Sequence, residues 1–307
     1  MTPPPRTVVL LATYNGADFL DEQIESIAAQ TVPAIDVLAS DDGSTDGTRE
    51  RLETWAARWS KGRFRVLEGP RAGFAENFRA LLLAAPDDAA HYAFADQDDI
   101  WHPDKLEVAT GRISGRAAPC LYGGRTELVD IRGARLGHSP IFPNPPSFSN
   151  ALVQSIAGGN TMVWNRPAQD LLARASARTG FVTHDWWAYI LITAAGGEVI
   201  YDPEPRIAYR QHTGNLVGSN RGWRAQRLRL RGLIRGRFRS WCDANLAGLA
   251  ACSDMIEPAA AETLAHFAAA RRTPLPARLV HLMRSGVYRQ TVSGHLGLYL
   301  ACLIGRI

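Results

Sequence analysis

The chain reads as an α/β protein, a mostly parallel sheet with helices on both faces, followed by a helical C-terminal region. Over the first hundred residues, short apolar β-branched runs alternate with stretches whose apolar residues recur at helical spacing. The connections between them are short, as expected when helices cross over between parallel strands. The 307 residues are 46% hydrophobic and 21% charged, which suits one large domain or two ordinary ones and excludes a disordered chain.

The elements follow in order. Thr7 to Ala12 is apolar enough to be a strand covered on both faces, and Thr13-Tyr14-Asn15-Gly16 ends it as a turn. Leu20, Ile24 and Ile27 mark a helix that closes before Pro33. Ile35 to Ala39 is a second strand, Asp41 to Asp46 the loop after it, and Thr48 to Trp59 a helix. Arg65 to Leu67 is a third strand, followed by a helix through Phe74, Phe78, Leu81 and Leu82. Tyr92 to Ala95 is a fourth strand that runs straight into acids. Beyond Asp104 the rhythm loosens. Strands near Leu121–Tyr122 and Thr161–Trp164 flank a loop rich in Pro, Ser and Asn from Pro140 to Asn150. Helices near Ala168–Ala177 and Asp185–Ala195 precede closing strands at Val199–Tyr201 and Ile207–Tyr209.

From Trp223 onward the pattern is helical. Trp223, Leu230, Ile234, Phe238 and Trp241 share one face beside a stripe of Arg224, Arg227, Arg231, Arg235 and Arg239. Gly232 and Gly236 weaken that helix by ~1 kcal/mol each relative to Ala, so it is expected to lean on a partner surface. A second helical stretch runs from Ala277 to the end. The expected division is residues 1–218 for the α/β domain, with a first half to about 105 and a second half after it, and 219–307 for the helical region.

Composition narrows the function. The apolar runs Val8–Ala12 and Leu296–Ile304 are too short for a secretory signal core or a helical membrane span. Cys120, Cys242, Cys252 and Cys302 show no CxxC spacing, which points to a reducing cytoplasm rather than a disulfide framework or zinc site. The net charge is only +4, yet ten arginines and no Asp or Glu lie from Arg206 to Arg239. Such a block faces an anionic partner or membrane surface. Nucleic-acid binding is suggested by charge alone and has no reading motif beside it. No GxxxxGK[ST], HExxH or GxSxG pattern occurs.

Two acidic clusters sit at the carboxyl ends of strands, where ligands bind in open α/β sheets. Asp96-Gln97-Asp98-Asp99 places three mutually repelling carboxylates after the fourth strand, so a cation is expected between them. Mn²⁺ or Mg²⁺ suits oxygen donors of this kind together with substrate phosphates. The alternative is a helix start, with Asp99 as its cap. Asp41-Asp42-Gly43-Ser44-Thr45-Asp46 offers acceptors for a base imide or ribose hydroxyl, or serves as an ordinary capping loop.

Ala12-Thr13-Tyr14-Asn15-Gly16, Asp41 to Asp46 and Asp96 to Trp101, taken together, resemble the family-2 glycosyltransferases of GT-A fold. His184-Asp185-Trp186-Trp187 and Tyr209-Arg210-Gln211-His212 resemble the bacterial rhamnosyltransferase-like branch of that family, and the likeness runs from residue 7 to about 218. The resemblance implies that Thr13, Tyr14 and Asn15 line the nucleotide, that Asp41 takes the base with Asp42 close by, and that Asn77 touches the nucleoside. It places Asp96 and Asp98 at the metal-binding DxD, Asp98 as the direct ligand, with Asp99 a near neighbour and His212 able to complete the shell or touch the diphosphate. Asp185 matches the catalytic base, here preceded by His184 where the family often has an acid.

Chemistry fits the same roles. A cation neutralises the departing diphosphate, and a carboxylate on the opposite side of the sugar deprotonates the acceptor hydroxyl. Trp186 and Trp187 could stack on an acceptor sugar or lie in the core. Gly159 and Asn160 could approach the diphosphate or acceptor or form a plain turn, and Arg210 could clamp phosphate or be a surface charge. The expected activity is inverting transfer of L-rhamnose from dTDP-rhamnose to a surface polysaccharide or lipid-linked glycan. The alternatives are a UDP-sugar donor or a non-catalytic sugar-nucleotide or glycan-binding module. The arginine-rich helix is expected to dock on the inner face of the plasma membrane, where each basic residue adds ~1 kcal/mol; the alternatives are binding the diphosphate of a lipid-linked acceptor and a solvated helix packed on the catalytic domain.

Overall fold

A computed structural model describes residues 4–212 and 236–307. Its strands are β1 (Thr7–Thr13), β2 (Ile35–Asp41), β3 (Phe64–Glu68), β4 (His91–Ala95), β5 (Ile100–Trp101), β6 (Cys120–Gly124), β7 (Glu127–Val129), β8 (Arg135–His138), β9 (Val163–Asn165), β10 (Glu198–Asp202) and β11 (Ile207–Arg210). The helices of the first two thirds are α1 (Ala17–Ala28), α2 (Thr48–Arg58), α3 (Phe74–Ala84), α4 (Lys105–Ile113), α5 (Phe148–Ala151), α6 (Arg166–Arg178) and α7 (His184–Ala194). Those described near the end are α8 (Arg237–Ala251), α9 (Pro258–Arg272), α10 (Ala277–Arg284) and α11 (Val292–Leu303).

Seven strands form the main sheet in the order β10-β6-β9-β4-β1-β2-β3. The expected parallel sheet is present with one exception, β9, which runs antiparallel to both β4 and β6. Along β1, Val8 and Leu10 enter one core and Val9 and Leu11 the other, the two-residue period of a strand buried on both faces. Leu20, Ile24 and Ile27 of α1, with Leu52 and Trp55 of α2, cover the second face. Phe78, Leu81 and Leu82 of α3 cover the first, together with α6, α7 and the C-terminal helices.

A second, four-stranded sheet, β5-β11-β7-β8, is absent from the sequence reading except for β11. It matters because β5 begins one residue after Asp99 and pairs with β11, bringing residues 207–212 back to the acids.

The C-terminal helices are not a detached appendage. Cys242, Leu249, Phe267, Leu282, Leu298 and Cys302 share one apolar cluster with Phe78 and Trp187. The boundary expected near 218 and the stripe residues Arg224, Arg227, Arg231 and Arg235 lie outside the described residues. Arg239 falls in the first turn of α8 and donates to the Gly305 carbonyl at 2.8 Å. The stretch expected to be helical from Ala277 to the end is broken over 285–291 into α10 and α11.

Candidate active site

The carboxyl ends of β1, β2 and β4 form the floor of the site, and each is tied to its neighbour by side chains. Thr13 Oγ1 donates to Asp41 Oδ1 at 3.1 Å, and the Ser44 amide donates to Asp41 Oδ2 at 3.0 Å. Asn15 takes a left-handed backbone (φ 48°), one that Asn tolerates better than most residues. Its amide donates to Ser44 Oγ at 2.8 Å, and its Oδ1 accepts the Thr45 amide at 2.9 Å. The two loops expected to meet the nucleotide are therefore one clasped surface, from which the Tyr14 ring projects with 58% of its area exposed.

Two residues expected near the nucleotide also hold the scaffold. Asp42 accepts the amides of Arg71 at 2.6 Å and Gly73 at 2.8 Å, fixing the entry to α3. Asn77 is buried, and its Nδ2 donates to the Ser40 carbonyl at 2.9 Å, so it braces β2 from below.

Asp96 stands at the end of β4. Burial first, then the charges of Asp98 and Asp185, push its pKa up to about 7, with Lys105 pulling the other way. The residues expected at the metal and at the base are thus electrostatic neighbours, although 89 positions separate Asp96 from Asp185. Asp185 lies in the first turn of α7 behind its N-cap, Thr183. Asp98 Oδ2 and His212 Nε2 are 2.7 Å apart, and the His212 ring stacks on Phe19 of α1 with centroids 5.0 Å apart. His212, two residues past the end of β11, is thus brought to Asp98.

Asp99 and Arg210 are placed differently from the reading. Asp99 is fully buried and accepts from Asn160 Nδ2 at 2.6 Å and from the Arg210 amide at 3.3 Å. It is not the cap of α4, whose N-cap is Asp104. Burial and the nearby Asp98 and Asp96 raise its pKa well above the carboxylate range. The Arg210 guanidinium is likewise buried. It donates to the carbonyls of Asp98 at 3.0 Å and Ile131 at 2.7 Å and pairs with Glu22, which leaves it no fork for a phosphate. Arg210 positions the Asp98 backbone.

Trp186 and Trp187 are core residues. Trp186 Nε1 donates to the Ala151 carbonyl at 2.7 Å, and the Trp187 ring lies against Gly248 of α8. Nine of the eleven residues of α7 are buried because the sheet and the C-terminal helices enclose it, so neither ring is presented to a sugar.

His184 is buried among aromatic rings, stacked on Phe78 at 3.7 Å and edge-on to Phe94 at 4.6 Å. Desolvation lowers its pKa to about 4 against a smaller upward pull from Asp185, so the imidazole is neutral at physiological pH. Gly159 sits directly against it. A methyl group at 159 would fall 1.9 Å from His184 Nε2. Gly159, Asn160 and Thr161 form a 3-10 turn at the start of β9, and this antiparallel strand brings the turn to the same edge as Asp96.

Sequence reasoning missed two residues. Gln97 accepts the Tyr14 amide at 2.8 Å and donates to the Tyr14 carbonyl at 3.0 Å, joining the ends of β1 and β4. Lys105 is fully buried, donates to the Asn160 carbonyl at 2.7 Å and lies 3.1 Å over the Trp101 ring, beside Asp99 and Asp96. Burial pulls its pKa well below the lysine range. Its signal was available, since it is one of only two lysines in an arginine-dominated chain and follows the acids by six positions.

Residues 8–156 match the model of Glycosyl transferase family 2. The dTDP-rhamnosyl transferase RfbG of Shigella flexneri is 28% identical over 244 residues, covering 74% of this chain and 80% of its own. The putative teichuronic acid biosynthesis glycosyltransferase TuaG of Bacillus subtilis is 25% identical, covering 72% and 84%. Among solved structures, the mannosyltransferase PcManGT of Pyrobaculum calidifontis, in complex with GDP-Man and Mn²⁺, aligns with TM-score 0.52 and 20% identity over 99% of this chain and 86% of its own. S. aureus TarS with UDP-GlcNAc aligns with TM-score 0.54 and 15% identity, covering 92% and 93%. Both have the GT-A fold, and the likeness assigns that fold here.

Proposed function

We propose, from the glycosyl transferase family 2 domain that residues 8–156 match, that the chain is an inverting, metal-dependent glycosyltransferase acting from a nucleotide-sugar donor. The observation that carries the proposal is the meeting of Asp96, Asp98 and Asp185 at one strand edge, close enough that the latter two raise the pKa of the first. Asp98 Oδ2 and His212 Nε2, 2.7 Å apart, are the pair that would hold Mn²⁺ or Mg²⁺, with Asp96 beside them. A carboxylate and an imidazole suit Mn²⁺ well. The donor diphosphate would supply further oxygen ligands to such an ion. When bound, the ion supplies positive charge to the leaving diphosphate.

The protein groups do the rest. The clasped Asn15–Ser44 and Thr13–Asp41 loops present the nucleoside surface, and Tyr14 offers an exposed ring to it. Asp185 accepts the proton of the acceptor hydroxyl as that oxygen attacks the anomeric carbon from the face opposite the diphosphate. One bond forms as the other breaks, and the configuration inverts.

The donor we assign is dTDP-L-rhamnose, on the strength of the 28% identical rhamnosyl transferase and the His184–Trp187 and Tyr209–His212 strings. The acceptor is a surface polysaccharide or lipid-linked glycan met at the inner face of the plasma membrane, to which the arginines from Arg221 to Arg239 are drawn. No helix among the described residues is long and apolar enough to cross a membrane.

A panel of sugar nucleotides, scored for Mn²⁺-dependent binding and slow hydrolysis, tests the reading. Preference for dTDP-rhamnose supports it, preference for a UDP-sugar replaces the donor, and binding without turnover leaves only a binding module. Asp185→Asn should abolish transfer while nucleotide binding persists, and retained turnover refutes its role as base.

A further inference from the structure

Among the described residues, the last helix has two apolar faces and only one of them is covered. In α11, Leu298, Ala301 and Cys302 are buried against the core. On the other side Val292, Leu296 and Leu300 are 80%, 65% and 52% exposed, joined by Leu303 and Ile304. Spaced by four, four and three residues, Val292, Leu296, Leu300 and Leu303 fall on one strip of helix surface. The helix carries no charged residue at all. Val280 and Met283 of α10, the helix that packs against α11, are exposed as well. A helix facing water places polar residues here, and a connected apolar strip of this kind marks an interaction surface.

The charge around the strip identifies the partner. From Thr263 to Ile307 there is no Asp or Glu, while Arg271, Arg272, Arg278, Arg284, Arg289 and Arg306 all fall in that span. Arg239, whose guanidinium bonds the Gly305 carbonyl just past α11, lines a groove of about 360 Å³ between α8 and α9 together with Arg271 and Arg272. One acid, Asp243, lines the same groove and pairs with Arg271. Apolar side chains flanked mainly by cations fit a bilayer interface with anionic head groups, whose acyl boundary takes the strip and whose phosphates meet the arginines.

We propose that α11 lies in the plane of an anionic phospholipid surface, with Val292, Leu296, Leu300 and Leu303 inserted and Arg239, Arg272 and Arg306 at the head groups. This rests on the membrane attachment stated above and moves its apolar half from the arginine block to the final helix.

Sedimentation with vesicles of phosphatidylcholine, with and without phosphatidylglycerol, tests it on the full chain. The wild type should partition to the anionic vesicles at least tenfold more strongly than to the neutral ones. Leu296→Asp with Leu300→Asp should lower that partitioning at least tenfold, and Leu296→Ser should lower it less. Arg272→Glu with Arg306→Glu should remove the preference for anionic lipid. Donor hydrolysis should be unchanged in all of these variants, so the catalytic reading stands or falls separately. Wild-type protein that ignores vesicles, or a double Asp variant that partitions like the wild type, overturns the proposal. So does a solution dimer that the same variant converts to monomer, which would make a second copy the occupant. Loss of binding only in Arg221→Glu with Arg224→Glu assigns the docking to the arginine block and also overturns it.

Discussion

Replacing Gly159 with Ala adds one methyl group where none fits. The Cβ would lie 1.9 Å from His184 Nε2, far inside the ~3.5 Å of ordinary contact. The glycine is there for space and not for its backbone, since its φ is not in the left-handed region. His184 cannot swing away, because it is stacked on Phe78 and enclosed by Phe74 and Phe94. The substitution should therefore cost about 3 kcal/mol, the upper part of the usual range for overpacking. In a chain of this length that lowers the melting temperature by roughly 2 °C per kcal/mol. The displaced turn also carries Asn160, which holds Asp99 and Lys105, and it presses on the residue before Asp185. Transfer should fall further than the loss of folded protein explains. The decisive assay is a double-mutant cycle by chemical denaturation. His184→Ala removes the ring that blocks the methyl group, so the double variant should be more stable than the sum of the single effects predicts, by about 1–3 kcal/mol. A Gly159→Ala protein that melts with the wild type, or a cycle that closes additively, refutes the steric reading.

His184 also sets an acid limit. Its folded pKa of about 4 lies below the ordinary 6.5, so the unfolded chain binds the extra proton between those values. The stability this gives is complete above pH 6.5 and is lost as pH falls toward 4, amounting to roughly 3 kcal/mol. Denaturant titrations from pH 8 to 4 should show that loss in the wild type and lack it in His184→Gln, which starts out less stable. Lys105→Met leaves the buried Asp99 and Asp96 without their cation and should cost about 3 kcal/mol, with no rescue by Lys105→Arg because the forked guanidinium does not match the site. Chemical denaturation measures both. Asp98→Asn and His212→Ala should each raise the Mn²⁺ concentration for half-maximal donor turnover at least tenfold. Equal metal dependence in wild type and His212→Ala would remove the histidine from the metal shell.

The donor half was legible because its strands are apolar runs buried on both faces, as at Val8–Leu11 and Tyr92–Ala95. Its acids also follow those runs directly. The second sheet was not legible, because Glu127–Val129 is three residues long and Arg135–His138 has no buried residue to set a period. Without that sheet, the string at Tyr209–His212 could be suspected but not routed to Asp98. Residue type also hid the roles of Arg210, Trp186 and Trp187. An arginine consumed by carbonyls and one left for phosphate look the same in sequence, and a tryptophan pair becomes core only once α8 closes over it. The run from Trp186 to Ile192, apolar on every side, is the clue that favoured the core.

The reversed direction of β9 has a consequence for how such an enzyme changes its specificity. In a uniformly parallel sheet, the segments that meet a ligand follow their strands. Here the Gly159–Thr161 turn precedes its strand, and the long excursion from Ser139 to Gly158 feeds into it from upstream. Lengthening or reshaping that excursion would remould the wall on the Asp185 side without shifting a residue of β1, β2 or β4. Under the proposed function, the two substrates would thus be served by stretches of chain that can vary independently, one able to drift with the acceptor while the other keeps its grip on the nucleotide.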